Sequence, residues 1–100
     1  MKNVLLCSEG DTFLCSVPDE VGENFRSYCI FFANEWLWKS PDAAKYRSTG
    51  GVIYNFKDFI DYLNQFVFPD TPSVILENLG WIETPTDLPN EYQFLPSFEF

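Results

Sequence analysis

The sequence predicts an α+β domain: a small antiparallel sheet built on an N-terminal hairpin, packed against two main helices, with an extended proline-rich strap at the C-terminal end. Three observations predict it. Residues 3–17 read as two apolar runs around a turn, residues 19–38 and 55–67 repeat apolar side chains at helical spacing, and Pro85, Pro89 and Pro96 forbid regular helix beyond residue 84. With 100 residues, 46% of them hydrophobic and 19% aromatic, the chain has the size of a single compact domain and is too apolar for intrinsic disorder.

The start, NVLLCSEGDTFLCSV, places Ser8-Glu9-Gly10-Asp11 between apolar runs, which predicts strands over 3–8 and 12–17. A three-residue loop at Glu9 to Asp11 pairs Leu5 with Cys15 and Cys7 with Phe13. Leu5, Cys7, Phe13, Cys15 and Val17 then share one face, with the two thiols as diagonal neighbours. A loop one residue longer puts those thiols on opposite faces, because strand side chains alternate with period two.

Pro18 ends the hairpin, and Val21, Phe25, Tyr28, Cys29, Phe32 and Trp36 follow as one helical stripe over 19–38. Asp19, Glu20 and Glu23 suit the positive end of the helix dipole and Lys39 the negative end. Ile30, Phe31, Leu37 and Trp38 lie on other sides, so this helix needs a cover. Ser40-Pro41-Asp42 predicts an N-cap and a short helix over PDAAKY, and GGVIYN predicts a short strand. Asn55 caps FKDFIDYLNQFVF, where Phe56, Phe59, Ile60, Leu63, Phe66 and Val67 fill one arc and Lys57, Asp58, Asp61, Asn64 and Gln65 lie opposite.

Beyond Pro69, Thr71, Pro72 and Gly80 carry the signals of a short helix, and the segment is read as one, although Val74-Ile75-Leu76 would equally suit a buried strand. Trp81-Ile82-Glu83 predicts a short strand and Glu91 to Leu95 an edge strand. The final stretch holds Tyr92, Phe94, Leu95, Phe98 and Phe100. Burying each is worth about 1.5–3 kcal/mol, so the stretch is read as a strap covering the surplus apolar surface of the 19–38 helix.

Charge is uneven. Residues 1–57 hold all six basic residues against seven acidic ones, whereas residues 58–100 hold eight acids and no base, out of a net charge of −9. Such carboxylates keep an aromatic-rich domain soluble; gathered on one face, they also steer the chain toward a basic surface. Direct binding of nucleic acid is disfavoured, since that affinity rests on Lys and Arg meeting phosphates.

The sequence has no histidine, no nucleophile elbow and no phosphate loop, so an enzyme is not expected. Cys7, Cys15 and Cys29 lack metal-ligand spacing and are read as reduced, core-type thiols, with no metal or cofactor. No apolar run is long enough to span a bilayer, no secretory signal is apparent, and a cytoplasmic protein is expected.

The expected function is a non-enzymatic protein-binding module, of the inhibitor or immunity type, presenting a negative face to a basic, nucleic-acid-binding partner. The candidate contacts are Asp58, Asp61, Glu77, Glu83, Asp87 and Glu91. The alternative is a ligand-binding module, for sugar rings for example, using Trp36, Trp38, Trp81 or Tyr92 as a platform.

Overall fold

The computed structural model describes residues 1–100 and has the expected α+β architecture. Strands β1 (Lys2–Ser8) and β2 (Asp11–Val17) form the hairpin. Their turn has two residues, Glu9 and Gly10, at φ 52° and 89°. Positive φ at both central positions matches the right-handed strand twist, and glycine adopts it without steric cost.

This two-residue turn replaces the expected three-residue loop, and one residue of register matters. Leu5 pairs with Leu14, Leu6 with Phe13 and Cys7 with Thr12. The β2 half of the predicted core face, Phe13, Cys15 and Val17, is retained. From β1, however, Val4 and Leu6 join it in place of Leu5 and Cys7, which turn to the back of the sheet with Leu14. Cys7 and Cys15 therefore lie on opposite faces.

The predicted 19–38 helix is broken at Asn24. It comprises α1 (Asp19–Glu23) and α2 (25–39), whose middle, Phe32–Trp36, widens into a π turn. Arg47 closes the end of α2 by donating to the carbonyls of Leu37 (3.1 Å) and Ser40 (2.7 Å). A 3₁₀ helix at Pro41–Tyr46 follows, capped by the Ser40 hydroxyl. Strands β3 (Arg47–Ser48) and β4 (Gly51–Val52) form a separate ribbon, so only Gly51 and Val52 of GGVIYN are extended and paired.

Helix α3 (56–67) starts in a capping box. Asn55 Oδ1 accepts from the N–H groups of Lys57 and Asp58, while the Asp58 carboxylate accepts from Asn55 N–H at 2.9 Å. Its last turn, Leu63–Val67, is again a π turn. That wider turn changes the phase of the residues beyond Tyr62, and Phe66, expected in the core, emerges 46% exposed.

The segment read as a helix after Thr71 is instead β5 (Val74–Trp81), antiparallel to β2. Val-Ile-Leu is strand composition, and pairing with β2 satisfies its backbone. Gly80, at φ 79°, lies inside the strand and does not end a helix. Asn64 ties α3 to the approach of β5 through both groups of its amide, 2.6 Å to Ser73 N–H and 3.0 Å to the Ser73 carbonyl.

The sheet order is β5-β2-β1-β6, with β6 (Ser97–Glu99) parallel to β1, so the sheet is mixed where an antiparallel one was expected. Residues 82–96 are then a crossover between two parallel edge strands, and parallel strands require one of about this length. The crossover carries single 3₁₀ turns at Pro85–Asp87 and Asn90–Tyr92, and the edge strand expected at Glu91 to Leu95 forms at 97–99 instead.

This route also corrects the strap. It does not lie over α2; Leu88 packs on Leu5 and Leu14 at the back of the sheet, joined by Leu79, Ile82, Tyr92 and Leu95. Only the last residues reach the helices. On the front, Val4, Leu6, Cys15 and Val17 pack against Phe25, Phe32, Phe59 and Leu63 of the helices. Phe32 is the centre of this layer, within 6.0 Å of the rings of Trp36, Tyr54, Phe59, Tyr62 and Phe100. No helix is long and apolar enough to cross a membrane.

Candidate partner-binding surface

The six acidic candidates divide between the two sides of the sheet. Asp58 and Asp61 belong to α3, which covers the front. Asp58 is engaged in the capping box, whereas Asp61 is exposed and free of ion pairs. Glu77 sits in β5 opposite Leu14 and so points to the back. There it meets the strap: burial first, then the charges of Glu91 and Glu77, push the Tyr92 hydroxyl above its ordinary pKa. Asp87 accepts from Thr84 N–H at 3.1 Å and caps the strap's first turn, and Glu83 is exposed just beyond β5. The back of the sheet thus gathers Glu77 and Glu91, while Asp58 and Asp61 lie away from them.

Ion pairing leaves this charge uncompensated. The three salt bridges join the N-terminal amine to Asp19, Lys2 to Glu23 and Lys39 to Glu35, all within the first 39 residues. Two further cations cover aromatic rings: Arg26 over Phe98 and Lys45 over Tyr46. None of the eight carboxylates from Asp58 onward has a cationic partner.

The four rings of the platform reading are dispersed. Trp36 is 9% exposed, wedged against Tyr62 at 4.8 Å and Phe66 at 5.3 Å. Tyr92 is half-buried in the strap; Trp38 and Trp81 are exposed, but Trp38 borders Gly51 and Trp81 covers the Gly10 turn. No ring contact joins any two of the four.

Two surfaces escaped the sequence reading. One is a shallow groove between α2 and α3, where dents of about 250 Å³ and 260 Å³ share Phe31 and are walled by Tyr28, Tyr62 and Trp36. Tyr28 is bonded there to the Glu20 carboxylate, which pushes its hydroxyl up to about 12. Phe31 lies off the apolar stripe of α2, as its helical spacing predicts, whereas Phe66 is placed outward by the π turn of α3, which no helical wheel predicts. The other surface is β5 itself, whose Val74, Ile75 and Leu76 are exposed; the signal was present in its strand-like composition, outweighed by the Thr-Pro and Gly cues around it.

Cys15 and Cys29 are buried and unpaired, and burial raises both thiols, Cys15 to about 12. Protonated thiols under cover are poor nucleophiles. No three His, Cys, Asp or Glu side chains stand close enough together to hold a metal ion. Comparison with protein-family models, with curated proteins and with solved structures finds no match.

Proposed function

We propose that this chain is a non-enzymatic protein-binding module, of the inhibitor or immunity type, that meets the basic surface of a nucleic-acid-handling partner. The observation that carries this reading is the uncompensated charge: eight carboxylates from Asp58 to Glu99, no Lys or Arg among them, and no ion pair to any. Charge left unpaired across a folded surface keeps its full field for an incoming partner and speeds encounter with opposite charge. Glu77 and Glu91, drawn together beside Tyr92, and exposed Glu83 are its centre, with Asp61 contributing from the front.

The test is binding to a panel of basic nucleases and DNA-binding proteins, measured across a salt series with the native chain and with a Glu77→Gln/Glu83→Gln/Glu91→Gln variant. A cognate contact of this kind weakens steeply as salt rises and weakens again in the variant. Affinity that is flat with salt and indifferent to the three substitutions would sink the proposal.

A further inference from the structure

We propose that the free edge of β5 is a docking strand whose occupant is an extended segment of a partner protein bearing Lys or Arg. This rests on the reading above and names where such a partner engages. The same kind of apolar run occurs in two strands of this sheet with opposite fates. Val4-Leu5-Leu6 of β1 is buried, with helices in front, the strap behind and strands on both sides. Val74-Ile75-Leu76 of β5 is the composition of a strand covered in the same way. Yet Val74 is 46% and Leu76 52% exposed, and neither packed layer includes them.

β5 lies at the end of the sheet and pairs only with β2, so no strand covers its outer edge; within it the Gly80 N–H is met by the Asn78 side chain at 2.8 Å. An unpaired edge is a template for another strand: the backbone supplies hydrogen bonds and alternate side chains supply apolar contact. Charge fixes the kind of strand. Asp70 and Glu83 flank β5, Glu77 lies within it, and Asp11 accepts from Asn78 Nδ2 at 3.4 Å on the neighbouring strand. Neither β2 nor any residue after Lys57 supplies a cation.

A second copy of this chain is a poor occupant. Antiparallel pairing of two β5 edges brings Glu77 toward its counterpart and joins two chains of charge −9. Irregularities at Leu76 and Leu79 also twist the edge out of the flat form that favours self-pairing. A short basic segment can follow such an edge and complement its charge.

The probe is a short acetylated and amidated peptide alternating Lys with Val, with a second peptide of equal charge carrying Pro in place of its central Val. At low salt the first is expected to bind saturably and to shift backbone amides within Val74–Asn78 and the facing part of β2. The Pro peptide, and a Val74→Ser/Leu76→Ser variant of unchanged charge, should each bind at least about tenfold more weakly. If both peptides bind equally, or the shifts scatter over the strap carboxylates, the docking strand is overturned while the acidic-surface reading stands. If neither peptide binds at low salt, the docking strand is overturned, and the acidic-surface reading is decided by the salt series on basic proteins. Concentration-dependent dimerisation in sedimentation, abolished by the same serine pair, also overturns the proposal by making a second copy the occupant.

Discussion

The backbone N–H of Phe100 donates to the carbonyl of Cys7 at 2.9 Å, while the Phe100 ring stands edge-on to Phe32 with centroids 6.0 Å apart. One residue thus extends the β1–β6 ladder and fills the front core. Phe98 stacks on it at 4.9 Å, and Tyr54 and Phe59 close the remaining sides.

Phe100→Ala is therefore expected to destabilise the fold by about 2–3 kcal/mol, below the loss for a fully buried phenylalanine because this ring keeps some solvent contact. Urea unfolding measures it. A loss under about 0.5 kcal/mol, typical of surface positions, would show that the ring is not part of the core.

Asp58 and Asp61 should separate cleanly. Asp58→Ala removes half of the capping box and is expected to cost about 1 kcal/mol of stability. Asp61→Asn leaves every mapped contact intact and should change stability by less than about 0.5 kcal/mol. Thermal melts of the two variants decide this, and an equal effect would contradict the roles assigned to them.

Alkaline pH should weaken the fold before any effect near neutrality. Cys15 has its folded pKa raised from an ordinary 9.0 to about 12 by burial, so its neutral form is the one the fold prefers. Its contribution is complete below pH 9. Between pH 9 and 12 the unfolded thiol ionises first, and stability declines by up to about 1.4 kcal/mol per pH unit from this group. Tyr28, raised by its bond to Glu20, acts in the same direction from pH 10. Urea midpoints compared at neutral pH and above pH 10 should fall for the native chain and fall less for Cys15→Ala.

Legibility in the sequence followed how local each determinant was. Helices α2 and α3 announce themselves because spacing, dipole complement and the Asn55 cap lie within a few residues of one another. The hairpin was visible, but its face assignment in β1 turned on one loop residue, which Glu9 decided by accepting positive φ. Val74-Ile75-Leu76 carried strand composition between helix-end signals, and only pairing with β2, about sixty residues earlier in the chain, resolves it. The strap's destination was invisible for the same reason. Its leucines fit any apolar surface, and the parallel placement of β6 chose the back of the sheet. Of the candidate surface, the charge was readable in full, whereas the grouping of Glu77 with Glu91 and the bare edge of β5 depend on that distant pairing.

The parallel β1–β6 pair has a kinetic side. About ninety residues separate Leu5 from Ser97, so this contact closes the longest loop in the molecule and is entropically the hardest to make. The hairpin and helices can assemble without it, which places β6 among the last elements to dock and the first to open. Interactions absent from the folding transition state govern the unfolding rate. The lifetime of the native molecule, as distinct from its equilibrium stability, is accordingly set at its final strand.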